Sequence, residues 1–200
     1  MIFKDSSEGG GDFAPAPVGN HVARCVGLID LGTQTSDFKG ETVVRRQVVV
    51  RWELPSELQN DGRPFQVSKF YTMSLHEKAT LRHDLANWRG RDFTEQELRG
   101  FDAKNILDKG CMVQVSHSDK GKARVTAVSS VPKGMTVPAR LSDPVFFSLE
   151  PSEYSPETFG QLGAWFQETI RKSPEWAALQ GDAPPKKAGH FDDLADDIPF

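Results

Sequence analysis

Two hundred residues, 38% hydrophobic and 26% charged with a net charge of −4, suit one soluble domain of ordinary size with appendages. No apolar run approaches the ~20 residues of a membrane-spanning helix, and the N-terminus lacks the basic-then-apolar form of a secretion signal, so we expect a cytoplasmic protein with no membrane partner. Between residues 20 and 140 there are 19 Lys and Arg against 14 Asp and Glu, whereas residues 141–200 hold 4 against 11; a basic body with an acidic end fits a binder of polyanions.

Residues 1–19, with Gly9-Gly10-Gly11 and Pro15-Ala16-Pro17, predict a flexible arm. A first strand is expected from Val22 to Leu31, with Gly27 marking a bulge, a bend or a close backbone contact. Residues 32–40 predict a turn or loop. The clearest strand follows, Thr42 to Leu54, rich in β-branched residues and ended by Pro55. Alternation sets Val44, Val48, Val50, Trp52 and Leu54 mostly on one face and Val43, Arg45, Gln47, Val49, Arg51 and Glu53 on the other, with Arg46 out of keeping on the apolar side. A third strand is predicted from Phe65 to Leu75, with Lys69 and Tyr71 on one face and Ser68, Phe70 and Thr72 on the other.

Ser74-Leu75-His76-Glu77 has the form of a capping box and predicts a helix to about Trp88, stopped by Gly90. Thr94-Glu95-Gln96-Glu97 predicts a second, shorter helix ending at Gly100. Strands four and five are expected at Gly110–His117 and Ala123–Val131, joined by a hairpin with a basic tip. Cys25 and Cys111 fall in strands as buried thiols, although spacing alone leaves a disulfide between them open. After residue 140, Phe146 to Leu149 reads as an added edge strand, and Ser155-Pro156 starts a helix whose stripe Phe159, Leu162, Phe166 and Ile170 packs on the body or on a second copy. Ser173-Pro174 starts a further turn of helix.

The expected class is mainly β with helices. Three strands, a helix and two strands make the order of a five-stranded OB-fold barrel, with a helical insertion between strands three and four. A distorted meander or an SH3-like barrel gives a similar string. The expected organisation is a flexible arm (1–19), an OB-fold domain (20–140), a C-terminal extension with a helix on the barrel (141–180), and a flexible linker with an acidic tip (181–200).

Clustered carboxylates for a metal, a nucleophile with its base and a phosphate-cradling glycine loop are all missing from the sequence pattern, so neither a catalytic residue nor a metal or cofactor is expected. Binding a single strand needs cations for phosphates and flat side chains for bases. Arg45, Arg46, Arg51, Lys69, Phe70 and Tyr71 on strands two and three supply both, and Lys120, Lys122 and Arg124 on the hairpin add a second basic edge. Trp52 reads as core and Phe70 as exposed; Tyr71 fits either place.

The chain closes on Asp192-Asp193-Leu194-Ala195-Asp196-Asp197-Ile198-Pro199-Phe200, too short and too charged to bury a core. Asp196, Asp197, Ile198, Pro199 and Phe200 are the candidate partner-binding residues, with a plain solvated acidic end as the alternative. The segment resembles the acidic tip of bacterial single-stranded DNA-binding proteins, which ends in Asp-Ile-Pro-Phe. The body, through Val22-Ala23-Arg24-Cys25-Val26, Trp52-Glu53-Leu54-Pro55 and Tyr71-Thr72-Met73-Ser74-Leu75, is similar to phage-encoded members of that class. The resemblance implies sequence-independent coating of single-stranded DNA in replication, recombination and repair. It implies recruitment of replication and recombination enzymes through the tip, in the cytoplasm of a bacterial host. It also implies a homo-oligomer; the extra helical segments depart from the usual tetrameric form, and a dimer is favoured. A nuclease built on such a domain and an adaptor that only displays the tip are the competing expectations.

Overall fold

The computed structural model describes residues 14–38 and 40–181. Most of the expected arm and the acidic tip, with Asp196, Asp197, Ile198, Pro199 and Phe200, lie outside the described residues. Six strands form one sheet: β1 (Gly19–Phe38), β2 (Glu41–Leu58), β3 (Pro64–Thr72), β4 (Gly110–His117), β5 (Ala123–Ser129) and β6 (Val145–Phe147). Five run in the order β3-β2-β1-β4-β5, all antiparallel, and β6 adds in parallel to β1. Between β3 and β4 come α1 (Thr80–Arg89), α2 (Glu95–Arg99) and a 3-10 turn at Ala103–Ile106. The extension after β6 carries α3 (Pro156–Gln161), α4 (Ala164–Arg171) and α5 (Pro174–Leu179). No helix among the described residues is long and apolar enough to cross a membrane.

Strand β1 organises the sheet because its partner changes along its length. Gly19–Arg24 pairs with β4, Arg24–Phe38 pairs with β2, and Gly27–Ile29 takes β6 on the side that β4 has left. Its register with β2 slips between Cys25 and Gly27 and again between Asp30 and Gly32. These bulges bend the strand and re-aim its side chains. Gly27 permits the first: a Cβ there would lie 2.9 Å from Cβ of Arg51 on the neighbouring strand. Beyond the second slip the expected loop at 32–40 is instead a two-stranded ribbon, with Gly32–Phe38 paired to Glu41–Gln47. The polar residues there suggest a turn, but the outer part of the ribbon is solvated and has no need of apolar alternation.

Alternation describes β2 and β3 well. Val48, Val50, Trp52, Leu54, Val67 and Tyr71 enter one core with Leu85 and Trp88 of α1 and the inward valines of β4 and β5. Pro55 does not end β2: it sits where pairing with β3 jumps from Leu54 to Leu58, so its missing N–H breaks no ladder bond. Strands β3 and β5 approach each other, but no ladder joins them among the described residues, and the sheet is not closed. The expected class, mainly β with helices, is what the structure shows, as a six-stranded sheet that is not closed.

The other sheet face carries a second core of Ile29, Leu31 and Val49 from β1 and β2, covered by Phe147, Leu149, Phe159, Leu162 and Ile170. Central strands are therefore apolar on both faces, which accounts for the unbroken burial of Val48-Val49-Val50. Ser155 and Ser173 cap α3 and α5 as their Ser-Pro pairs predict, accepting from the backbone N–H of Thr158 and Trp176. The single helix expected through Ile170 is broken at Leu162-Gly163 into α3 and α4. The Ser74 capping box does not form. Ser74 Oγ instead accepts from His76 N in a turn, and α1 starts at Thr80 with no side-chain cap. The Thr94–Glu97 box forms completely. Upstream, Ala14–Gly19 is less free than the expected arm: Ala16 is core, and its carbonyl is hydrogen-bonded to His117 Nε2 at 2.8 Å.

One ion pair joins these parts. Asp30, 4% exposed, accepts from Arg46 Nη2 at 2.6 Å, from Gly32 N at 2.9 Å and from Leu149 N at 3.2 Å. Replacing Arg46 by Met leaves that carboxylate buried without its cation. Denaturant unfolding should report a loss of about 3–5 kcal/mol, recovered in large part when Asp30→Asn is added. Unchanged stability in the single variant would mean that the two backbone donors suffice for Asp30.

Candidate nucleic-acid interface

In the β2–β3 ladder, residues opposite one another share a face. Val49 faces Phe70 and Arg51 faces Ser68 on the side away from the α1 core. The extension covers that side over β1 and β2 and reaches β3 only at its border. There Phe70 remains 50% exposed, and its ring meets Trp165 of α4 edge-on, with centroids 5.7 Å apart and planes at 88°. Trp165 is itself 55% exposed. It contacts Phe166 at 5.2 Å, and the Arg51 guanidinium lies 5.3 Å from the Phe166 centroid. Partial burial pulls the Arg51 pKa down, and no carboxylate pairs with it among the described residues. Three aromatic rings and a cation thus form one continuous cluster, half open to solvent.

The other sequence-predicted residues divide into three groups. Arg46 is tied to Asp30 and, at 2.9 Å, to Glu150; burial works to lower its pKa, but these hydrogen bonds outweigh it and raise it. Lys69 and Tyr71 turn the opposite way from Phe70 and share Asp84 of α1, through Nζ at 2.8 Å and the hydroxyl at 2.7 Å. Tyr71 is core, and burial, reinforced by the Asp84 charge, pushes its hydroxyl pKa far up. Arg46, Lys69 and Tyr71 are therefore structural groups here, not members of the open face. Arg45 stands half-buried on the ribbon, opposite Gln34. Lys120, Lys122 and Arg124 are exposed on the β4–β5 hairpin, and none pairs with a carboxylate among the described residues. No described contact links them to the Phe70 cluster.

Trp165 was not among the residues the sequence singled out. It adjoins the stripe Phe159, Leu162, Phe166 and Ile170 without belonging to it, and a large aromatic just off an apolar stripe was the available signal. A cleft of about 540 Å³ opens elsewhere, lined by Ala16, Gln59, Phe65, Gln66 and Leu141 among others, and includes no residue of the aromatic cluster. Among the described residues, His, Cys, Asp and Glu nowhere gather in a group of three able to hold a metal ion. Cys25 and Cys111 are both free and buried; burial pushes the Cys25 thiol up to about 12 and raises that of Cys111 further. Neither a protein-family model nor a curated protein matches this chain.

The assignment of Lys69 and Tyr71 to the fold has a direct check. Lys69→Met removes the cation of a partly buried carboxylate and should lower the unfolding free energy by about 1–3 kcal/mol. Tyr71→Phe, which keeps the ring and deletes one donor to a charged group, should cost about 1.5–3 kcal/mol. Urea titration of both reads the effect, and a Lys69 variant of undiminished stability would return that ammonium to the groups available for a ligand.

Proposed function

We propose that this chain binds single-stranded DNA without reading its sequence, holding and protecting the strand and carrying out no chemistry on it. The observation that carries this reading is Phe70. It is an aromatic ring half-exposed on a sheet face, adjoining a second exposed ring, with Arg51 on the neighbouring Phe166 and without a carboxylate partner among the described residues. Stacking on such rings is sequence-tolerant because every base has a π-face, and a nearby cation serves the phosphates. The excess of cations between residues 20 and 140 supports the same ligand through long-range attraction.

The fold reading is consistent with this. The order β3-β2-β1-β4-β5, with helices inserted between β3 and β4, is what an OB-fold presents when it is opened between its third and fifth strands. We read the sheet in that way, with β6 and α3–α5 as additions. On this reading the acidic segment 192–200 stays clear of the phosphates by charge repulsion and serves to recruit replication and recombination enzymes, as its resemblance implies. A phage protein working in the bacterial cytoplasm fits that role.

Titration of single- and double-stranded oligonucleotides, with and without Mg²⁺, tests the proposal. Single strands should bind and remain intact, and log K should fall with log salt by about 0.7 per neutralised phosphate. Phe70→Ala should weaken binding to homopolymers of different base by a similar factor while leaving the melting temperature within a few degrees of wild type. Metal-dependent cleavage would replace the reading with a nuclease. Absence of binding in low salt would leave the chain as an adaptor that only displays its acidic segment.

A further inference from the structure

Resting on the single-strand reading above, we infer that the C-terminal extension is itself part of the binding face: Trp165 of α4 and Phe70 of β3 form a two-ring platform that takes two neighbouring bases of a single strand. From β6 onward the extension leaves its other large apolar residues buried or half-buried. Ile170 is fully buried, and Phe159 and Leu162 join it in the second core. Trp165 is the exception there, presented to solvent where α4 meets Phe70 of β3. Its backbone is fixed, since Thr169 Oγ1 donates to its carbonyl at 2.9 Å and α4 is anchored by Ile170.

Charge and ring geometry identify the occupant. Arg51 lies behind Phe166, next to Trp165, and has no carboxylate among the described residues, so an anionic group reaching this border meets a partly desolvated cation. A ligand combining flat rings with regularly spaced anions is a nucleic acid strand. The two ring planes stand at 88° to one another. Bases stacked on both must lie roughly at right angles, which a flexible single strand allows and the parallel bases of a duplex do not. Discrimination against duplex then follows from the platform, with no steric wall required.

The test uses the full chain and oligothymidylate, read by tryptophan emission. Trp52 and Trp88 are buried and Trp176 is half-buried, which leaves Trp165 as the exposed indole of the four. Single strands should quench the emission, and a duplex of equal length should not. Trp165→Phe should keep most of the affinity and lose most of the quenching. Trp165→Ala should weaken binding by about 5- to 150-fold, the loss expected for one stacked base. Wild-type affinity in Trp165→Ala, or full quenching in Trp165→Phe, overturns the platform and leaves the single-strand reading standing. Equal quenching by duplex overturns the right-angle argument and the platform with it. If wild type binds no single strand at all, both readings fall together. Should Trp165→Ala fold poorly, the Phe variant and its emission still decide.

Discussion

The buried carboxylate of Asp30 is the constraint on which the rest of this molecule depends. A charge almost removed from water must be matched by donors, and here they come from three parts of the chain: Arg46 on β2, Gly32 in β1 and Leu149 just past β6. Arg46 continues the network to Glu150. A second tie lies close by, where Glu175 of α5 accepts from the Thr33 hydroxyl at 2.6 Å and the Thr33 N–H at 2.8 Å. Burial alone would raise the Glu175 pKa, yet these hydrogen bonds prevail and hold it below the usual range. Gly32 joins both ties. It has φ 70°, and a Cβ there would sit 2.5 Å from Ser173 at the start of α5. The bend in β1, the ribbon beyond it and the docking of the extension are therefore one coupled arrangement.

That coupling shapes the interface as well as the fold. Two of the cations that look available in the sequence are drawn inward to carboxylates. Arg46 answers Asp30, and Lys69 answers Asp84. What remains near the open aromatic rings is Arg51, held against Phe166 without an anion among the described residues. An interface assembled in this way relies first on ring surface and second on charge. Exposed cations do stand on the β4–β5 hairpin, but a point charge at a hairpin tip contributes little once salt screens it.

Much of the sheet was legible because period-two alternation and burial are the same fact seen twice. The ends of β4 matched to the residue, β2 and β5 differed at their ends, and the face carrying Phe70 was separated correctly from the face carrying Tyr71. Legibility failed where tertiary contacts override local signals. Gly32 and its polar neighbours resemble a turn, and only the packing of Ser173 against Gly32 reveals a strand that kinks and continues. Ser74 and Glu77 have capping-box spacing, yet the chain makes a turn there before α1 begins. The Asp30–Arg46 pair spans a register slip, so no fixed sequence spacing announces it. Trp165 escaped notice because helical periodicity marks the residues a helix buries and is silent about those it leaves exposed.

Covering the central strands on both faces also changes what the outer face can do. An uncovered sheet could let a ligand lie across β1 and β2, but Val49, Ile29 and Leu31 are sealed beneath the extension. The exposed rings are left at the border, contributed by two separate elements. Such a border site is only as well defined as the docking of α4 on the sheet, and that docking is secured by Ile170 in the second core and by the ties at Asp30 and Glu175. For the proposed stacking this matters: rings already held in place would lose little further freedom on binding, and more of the stacking energy would remain as affinity. The extension therefore has two linked roles: it closes the second core, and in closing it sets the angle between Phe70 and Trp165.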